Sequence, residues 1–423
     1  MEKGILISIF LLFLAFIITG CSAEQAVAQS KESRITSTDV LGSDVDSLNE
    51  GNHEFAYDLY QSERHEEGNL FFSPYSISVA LAMTYAGASG DTEMQIKETM
   101  NFSLPQDRLH PAFNVLDQTL AQRGQEAKGK DDQGFRLNIV NAIWGQEGYE
   151  FLIEYLDTLA MNYGAGIRLL DFVVDPEGSR YTINQWVSEQ TEGRIDELIP
   201  QGIIDSLTRL VLTNAIYFNA AWEYTFDESW TEPGIFHTHA GERVEVPMMK
   251  QVKGFAYDSG DGYQAVELPY SGRELSMLIL VPDGGKFDEF ENLLDRDFVE
   301  NVIDRLEQKQ VALWMPKFEV ENRLRLADTL SAMGMPTAFS MQADFSGMDG
   351  TKDLFIMDVI HQAFVSVDEA GTEAAAATAV VMTLKSAPIE DPVELNIDRP
   401  FVFMIRDKQT DTILFLGRML DPR

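Results

Sequence analysis

The chain has 423 residues, 45% hydrophobic and 10% aromatic, which is enough apolar material for a substantial core and too much for a disordered protein. Its 68 acidic against 32 basic residues give a formal net charge of −36, which repels polyanions, so no nucleic acid and no heparin-like cofactor is expected as a partner. The single cysteine excludes an internal disulfide.

The first element is a leader. Ile5 to Ile18 is apolar but for Ser8, one lysine precedes it, and Thr19-Gly20-Cys21 closes it with small residues. About 14 residues rising 1.5 Å each fall short of the ~30 Å hydrocarbon core, so residues 1–20 read as a secretory signal rather than a membrane span. The approach to Cys21 resembles the bacterial lipobox, which implies cleavage before the cysteine and a diacylglycerol on its thiol. An ordinary secreted protein or an uncleaved anchor is the alternative. Membrane contact is expected only through that lipid, with the protein exported to the envelope or the exterior. Residues 21–48 are rich in Ser, Gln, Asp and Thr and read as a flexible tether. Asp44 and Asp46 do not continue into a calcium loop, because Leu48 stands where an oxygen ligand should follow.

From Asn49 on there is no second linker and no repeat, so residues 49–423 are expected to form one domain. Apolar residues three and four apart predict helices over 53–63, 76–88, 154–163, 181–191 and 290–308. Strand-like runs occupy 136–145, 212–222, 263–270, 275–282, 311–320, 362–369, 401–407 and 413–420. Helices gather early and strands late, which indicates an α+β fold.

Enzymatic chemistry leaves no signature. There is no G-x-S-x-G elbow, no H-E-x-x-H and no phosphate loop, and Cys21 is taken by the leader. His237 and His239 are spaced to ligate zinc from a strand, but no third ligand is evident and a surface role is the simpler reading. His361 lies among apolar residues, as a hydrogen-bonded core histidine does. An enzyme, a metal site and a cofactor are therefore not expected.

Seven segments in order carry a family likeness: "NLFFSPYSISVALAMTYAGASGDTEMQI" (69–96), "LTNAIYFNAAWEYTF" (212–226), "VPMMK" (246–250), "MPKFEVE" (315–321), "FVSVDEAGTEAAAATA" (364–379), "RPFVFMIRD" (399–407) and "ILFLGRMLDP" (413–422). Together they resemble the serpin family, serine protease inhibitors, over residues 49–423. The resemblance implies a fold of three β-sheets and about nine helices with an exposed reactive-centre loop at about 369–392, acting as a monomer. It also implies a suicide-substrate mechanism: a serine protease cuts the loop, forms an acyl-enzyme, and is trapped as the loop enters the main sheet as a new strand. Family spacing puts the scissile bond at Lys385-Ser386, suited to a trypsin-like protease. Leu384 or Met382 would instead suit chymotrypsin-like or elastase-like enzymes, and a slightly longer segment before "RPFVF" keeps those registers open.

The same resemblance assigns a hinge to Glu369, Ala370, Gly371, Thr372, Glu373, Ala374, Ala375 and Ala376. It assigns a shutter to Ser73, Ser76, Asn214 and His361, and a breach to Trp222 and Glu223. Ordinary core polar pairing is the plain alternative for the last six. The loop's residues make physical sense of the mechanism. In a strand, Thr372, Ala374, Ala376, Thr378, Val380 and Met382 share one face and none is charged, while the small leading residues can slip between packed strands. Gly371 offers the backbone freedom that a turning strand requires. Taken alone, "EAAAATA" would equally suit an exposed amphipathic helix, with Glu369 and Glu373 four residues apart. Two rival classes stay open: a non-inhibitory serpin-fold lipoprotein with a binding or chaperone-like role, and an unrelated hydrolase or binding lipoprotein. Non-inhibitory relatives tend to carry charged or bulky hinge residues, and a hydrolase needs a nucleophile and a base.

Overall fold

The computed structural model describes residues 26–36, 39–124, 127, 135–372 and 391–423. Ten α-helices lie among the described residues: α1 (Gly42–Glu63), α2 (Pro74–Tyr85), α3 (Gly90–Thr99), α4 (Gln106–Ala121), α5 (Ile153–Tyr163), α6 (Pro176–Gln190), α7 (Phe287–Glu291), α8 (Arg296–Arg305), α9 (Ala327–Met333) and α10 (Ser346–Asp349). The strands of the amino-terminal half are β1 (Val27–Ala28), β2 (Leu70–Phe72), β3 (Arg136–Gln146), β4 (Ile167–Leu170) and β5 (Leu210–Ala221). Those of the middle are β6 (Glu232–His237), β7 (Arg243–Gly260), β8 (Tyr263–Pro269), β9 (Leu275–Pro282) and β10 (Glu307–Pro316). The last are β11 (Phe318–Arg325), β12 (Ile356–Val367), β13 (Gly371–Thr372), β14 (Val393–Asn396), β15 (Phe401–Asp407) and β16 (Ile413–Met419).

Seven strands form the first sheet in the order β1-β4-β3-β5-β13-β12-β11. The second runs β14-β10-β7-β8-β9-β15-β16-β2, with β6 on β7. The expected serpin architecture is present. What the resemblance counts as two further sheets is here one hydrogen-bonded sheet, because the 18-residue strand β7 continues from its pairing with β6 into its pairing with β8.

Both faces of the first sheet are buried along its middle strand β5, all of whose residues are buried. Along β5, Leu212, Ile216 and Phe218 point into the main core between the sheets, while Val211 and Ala215 face a smaller cluster under α6. That cluster sets Ile183, Val187, Ile195 and Leu198 on Val140 of β3, Val211 of β5 and Ile360 of β12. A strand covered on two sides carries apolar residues on both faces, which is why Leu212, Ala215, Ile216, Tyr217 and Phe218 stand in 212–222 without strict alternation.

Local chemistry fixes the helix starts. Ser73 caps α2 by accepting from the Ser76 amide at 3.2 Å, with Pro74 as the first helical residue. Asp175 caps α6 in the same way, followed by Pro176. The single helix expected over 290–308 is instead two helices and a strand. Asp295 accepts from the Phe298 amide at 2.8 Å, so a new helix begins there, and residues from 307 join β10.

The expected tether over 21–48 is corrected where it is described. Residues 42–48 belong to α1, whose Asp44 is buried against Arg108 and whose Leu48 is core. Residues 26–36 form a clasp on the body. The Leu169 amide donates to Ala26 O at 2.9 Å, and Val27 and Ala28 pair with Arg168 and Ile167 as an added edge strand. Ser30 bonds Asp157, Arg34 bonds Asp117 at 2.6 Å and Asn114 at 2.8 Å, and the Ile35 amide donates to Met161 O at 2.9 Å. Gly166 permits the approach, since a Cβ there would lie 2.7 Å from Ala28 O. Polar residues with no periodicity look like a linker when the partners that order them are more than seventy residues away.

Candidate functional site: the hinge and the seam beneath it

β5 and β12 run parallel and pair directly from Ile356 to Phe364, with His361 opposite Asn214. Above that stretch they separate and β13 lies between them, antiparallel to both: Thr372 pairs with Ala220 on one side and Val367 on the other. The hinge thus occupies the first rungs of an additional strand.

Each described hinge residue, from Glu369 to Thr372, is held by the body. Glu369 is buried, and its carboxylate accepts from Lys317 at 2.7 Å and from Thr231 at 2.7 Å. Burial pushes that carboxyl up, but the ammonium and the hydroxyl outweigh it and hold the group below its usual range. The Phe226 amide donates to Glu369 O, and the Trp222 amide donates to Ala370 O at 2.9 Å. Gly371 is needed twice over: its φ of 156° is a conformation that L side chains rarely adopt, and a Cβ would sit 2.1 Å from Ala220 O. Thr372 is fully buried, with its hydroxyl 2.8 Å from that of Tyr270. Burial pushes the Tyr270 phenol up, so it stays neutral.

Trp222 stacks on Tyr270 with ring centroids 4.6 Å apart, and its indole N–H donates to Asp368 O at 3.0 Å. Glu223, one residue on, pairs with Arg273 at 2.9 Å near the surface. These two expected breach residues do different work: Trp222 holds the hinge backbone, and Glu223 ties the end of β5 to the turn between β8 and β9.

The four expected shutter residues meet in one buried cluster. The Ser73 amide donates to His361 Nε2 at 3.0 Å, which leaves the ring proton on Nδ1, facing Asn214 Oδ1. Asn214 Nδ2 donates to Ser76 Oγ at 2.5 Å. Asn141 completes it, accepting from Ser76 Oγ at 3.2 Å and from Asn214. Asn141, Asn214 and His361 stand opposite one another in β3, β5 and β12, so a single rung of polar side chains crosses three strands. Burial drives the His361 pKa down to about 3, so the ring is neutral at ordinary pH. Sequence reasoning misses Asn141 and Tyr270. The first is visible only once the β3–β5 register is known, and the second only through its contact with Thr372.

Glu373, Ala374, Ala375 and Ala376, the scissile candidates Lys385 and Ser386, and Cys21 lie outside the described residues. His237 ends β6 and His239 lies in the turn after it, and both line a cavity of about 540 Å³ with Asp288 and Arg399. His239 Nε2 is 2.7 Å from Asp288, and no cluster of three metal-ligating side chains occurs among the described residues.

The family profile described as "Serpin (serine protease inhibitor)" matches residues 50–422. An uncharacterized serpin-like protein of Thermococcus kodakarensis is 41% identical over 371 residues, covering 87% of this chain and 84% of its own. The leukocyte elastase inhibitor of Homo sapiens is 38% identical, covering 89% of this chain and 100% of its own. Among solved structures, the thermophilic serpin tengpin in its native state superposes with a TM-score of 0.82 at 26% identity, covering 93% of this chain and 97% of its own.

Proposed function

The chain belongs to the serpin family, and from that premise we propose that it is a suicide-substrate inhibitor of serine proteases rather than an enzyme. The protease cuts the loop beyond Thr372, remains joined to it as an acyl-enzyme, and is disabled when residues 373 onward follow Gly371 and Thr372 between β5 and β12. The observation that carries this reading is the seating of β13: two residues already pair with both neighbours, so the cleaved segment extends an existing strand and needs no new nucleus. Thr372 faces inward on Tyr270, so every second residue after it would face the same core, and those residues are uncharged. Lys385 at the scissile bond favours a trypsin-like target, while the relatives named as elastase inhibitors keep an elastase-like target in play. Anchoring by a lipid on Cys21 would hold the monomer at the outer face of a membrane.

Incubating the soluble domain with trypsin, chymotrypsin and elastase and running a denaturing gel tests the reading. A heat-stable adduct is expected with at least one of them, and the mass of the released peptide locates the cut bond. Complete cleavage without adduct would sink the inhibitory reading in favour of a non-inhibitory serpin.

A further inference from the structure

The clasp fixes where the amino terminus leaves the body. β1 pairs at the level of Val211 and Leu212, and Ala26 at the level of Leu210, so the described chain begins level with the start of β5. The hinge sits at Ala220 and Ala221, the other end of that strand, about 36 Å away at 3.3 Å per residue. Ala26 therefore lies at the pole opposite the hinge. Four residues lie between Cys21 and Ala26, and the five steps from one to the other span at most about 17 Å.

That pole is also where exposed aliphatic side chains gather. Val173 and Val174 follow β4, Leu207 precedes β5, and Leu152 and Ile153 open α5 after β3; all five are exposed, Val174 at 78% and Ile153 at 70%. Hydrogen bonds tie the loops after β4 and before β5 to the end of β3: Gln146 receives from the Val173 amide at 3.2 Å and donates its own amide to Arg209 O at 2.9 Å. Apolar tips on loops at the end of a short leash match an interfacial membrane contact, in which a lipid chain and buried apolar area add.

We propose that this pole, presenting Leu152, Ile153, Val173, Val174 and Leu207, rests on the lipid bilayer and holds the reactive loop outward, away from the membrane. The proposal rests on anchoring through the amino terminus. Glu147, Glu150, Asp171 and Asp205 lie in the same loops and oppose adsorption to anionic lipid, so the leash, not charge, brings the surface down.

The test supplies the attachment chemically. A polyhistidine tag replaces residues 1–20, Cys21→Ser removes the native thiol, and the protein is held on phosphatidylcholine vesicles containing a nickel-chelating lipid and a nitroxide lipid. A fluorophore is placed by Ser206→Cys at the proposed contact, or by Glu228→Cys beside the hinge; both sites are exposed. Quenching is expected to be several-fold stronger at 206 than at 228. Adding Val174→Ser and Leu207→Ser, or Arg34→Ala to loosen the clasp, should bring the two towards equality. Equal quenching in the parent protein, stronger quenching at 228, or self-association of the untethered chain through position 206 would overturn the proposal. Adduct formation with a protease is scored in solution on the same samples, and lipid on Cys21 by mass in expressing cells, so failure of the inhibitory or the anchoring reading stays distinguishable from failure of this one.

Discussion

Thr372 is the residue on which insertion turns. It is fully buried, its hydroxyl meets Tyr270, and Trp222 stacks on that same ring. Thr372→Arg would put an unpaired guanidinium in this pocket, at a desolvation penalty of several kcal/mol. The variant is expected to be cut at the wild-type rate and to release the protease, read as cleaved inhibitor without adduct on a denaturing gel. The buried histidines give a pH prediction. Burial depresses His361 to about 3 and His110 to about 4, so each is neutral in the fold and gains a proton on unfolding below its ordinary value near 6.5. The stability they contribute is complete above that value and declines as pH falls towards 4, by up to about 1.4 kcal/mol per pH unit for each. Glu369, held low by Lys317, adds a loss of the same sign at more acid pH. Urea unfolding between pH 4 and 7 should show this slope, and His361→Gln should flatten it.

α6 spans the seam at the level of the element. Its cluster touches β3, β5 and β12 together, so parting β5 from β12 must disturb it. Ile183→Ala is expected to cost about 2–5 kcal/mol in urea unfolding and to raise the rate at which the uncleaved loop enters the sheet, followed as loss of inhibitory activity on warming. The elements differ in how far their sequences reveal them. α2 is legible from its cap and apolar run, and β5 from its length and β-branched content, because local preference and tertiary setting agree there. The break at Asp295 is not legible, since apolar spacing continues through it and only the capping bond marks the new start. The clasp is invisible for the opposite reason: Ser30 and Arg34 are ordinary polar residues until Asp157, Asn114 and Asp117 are brought beside them. The shutter residues and Trp222 are readable through family likeness, whereas Asn141 needs the register.

The whole molecule holds an open seam with a strand begun in it. Completing that strand adds ladder bonds on two sides and buries the inward-facing residues of the loop, so the cut form should be much the more stable. Thermal melting of intact and loop-nicked protein should show a large upward shift on nicking; equal midpoints would mean that no energy is stored. The polar rung has a further bearing on this. Extending the pairing of Thr372 with Ala220 and Val367 by six positions brings residue 378 opposite Asn214 and His361 together. Those two side chains must lose each other when the strands part, and the newcomer at that level is a threonine, whose hydroxyl can give to the amide oxygen and receive from the imidazole N–H. A valine there would match its shape and leave both old partners unanswered, so Thr378→Val should trap fewer proteases per molecule cut while the uncut protein melts unchanged.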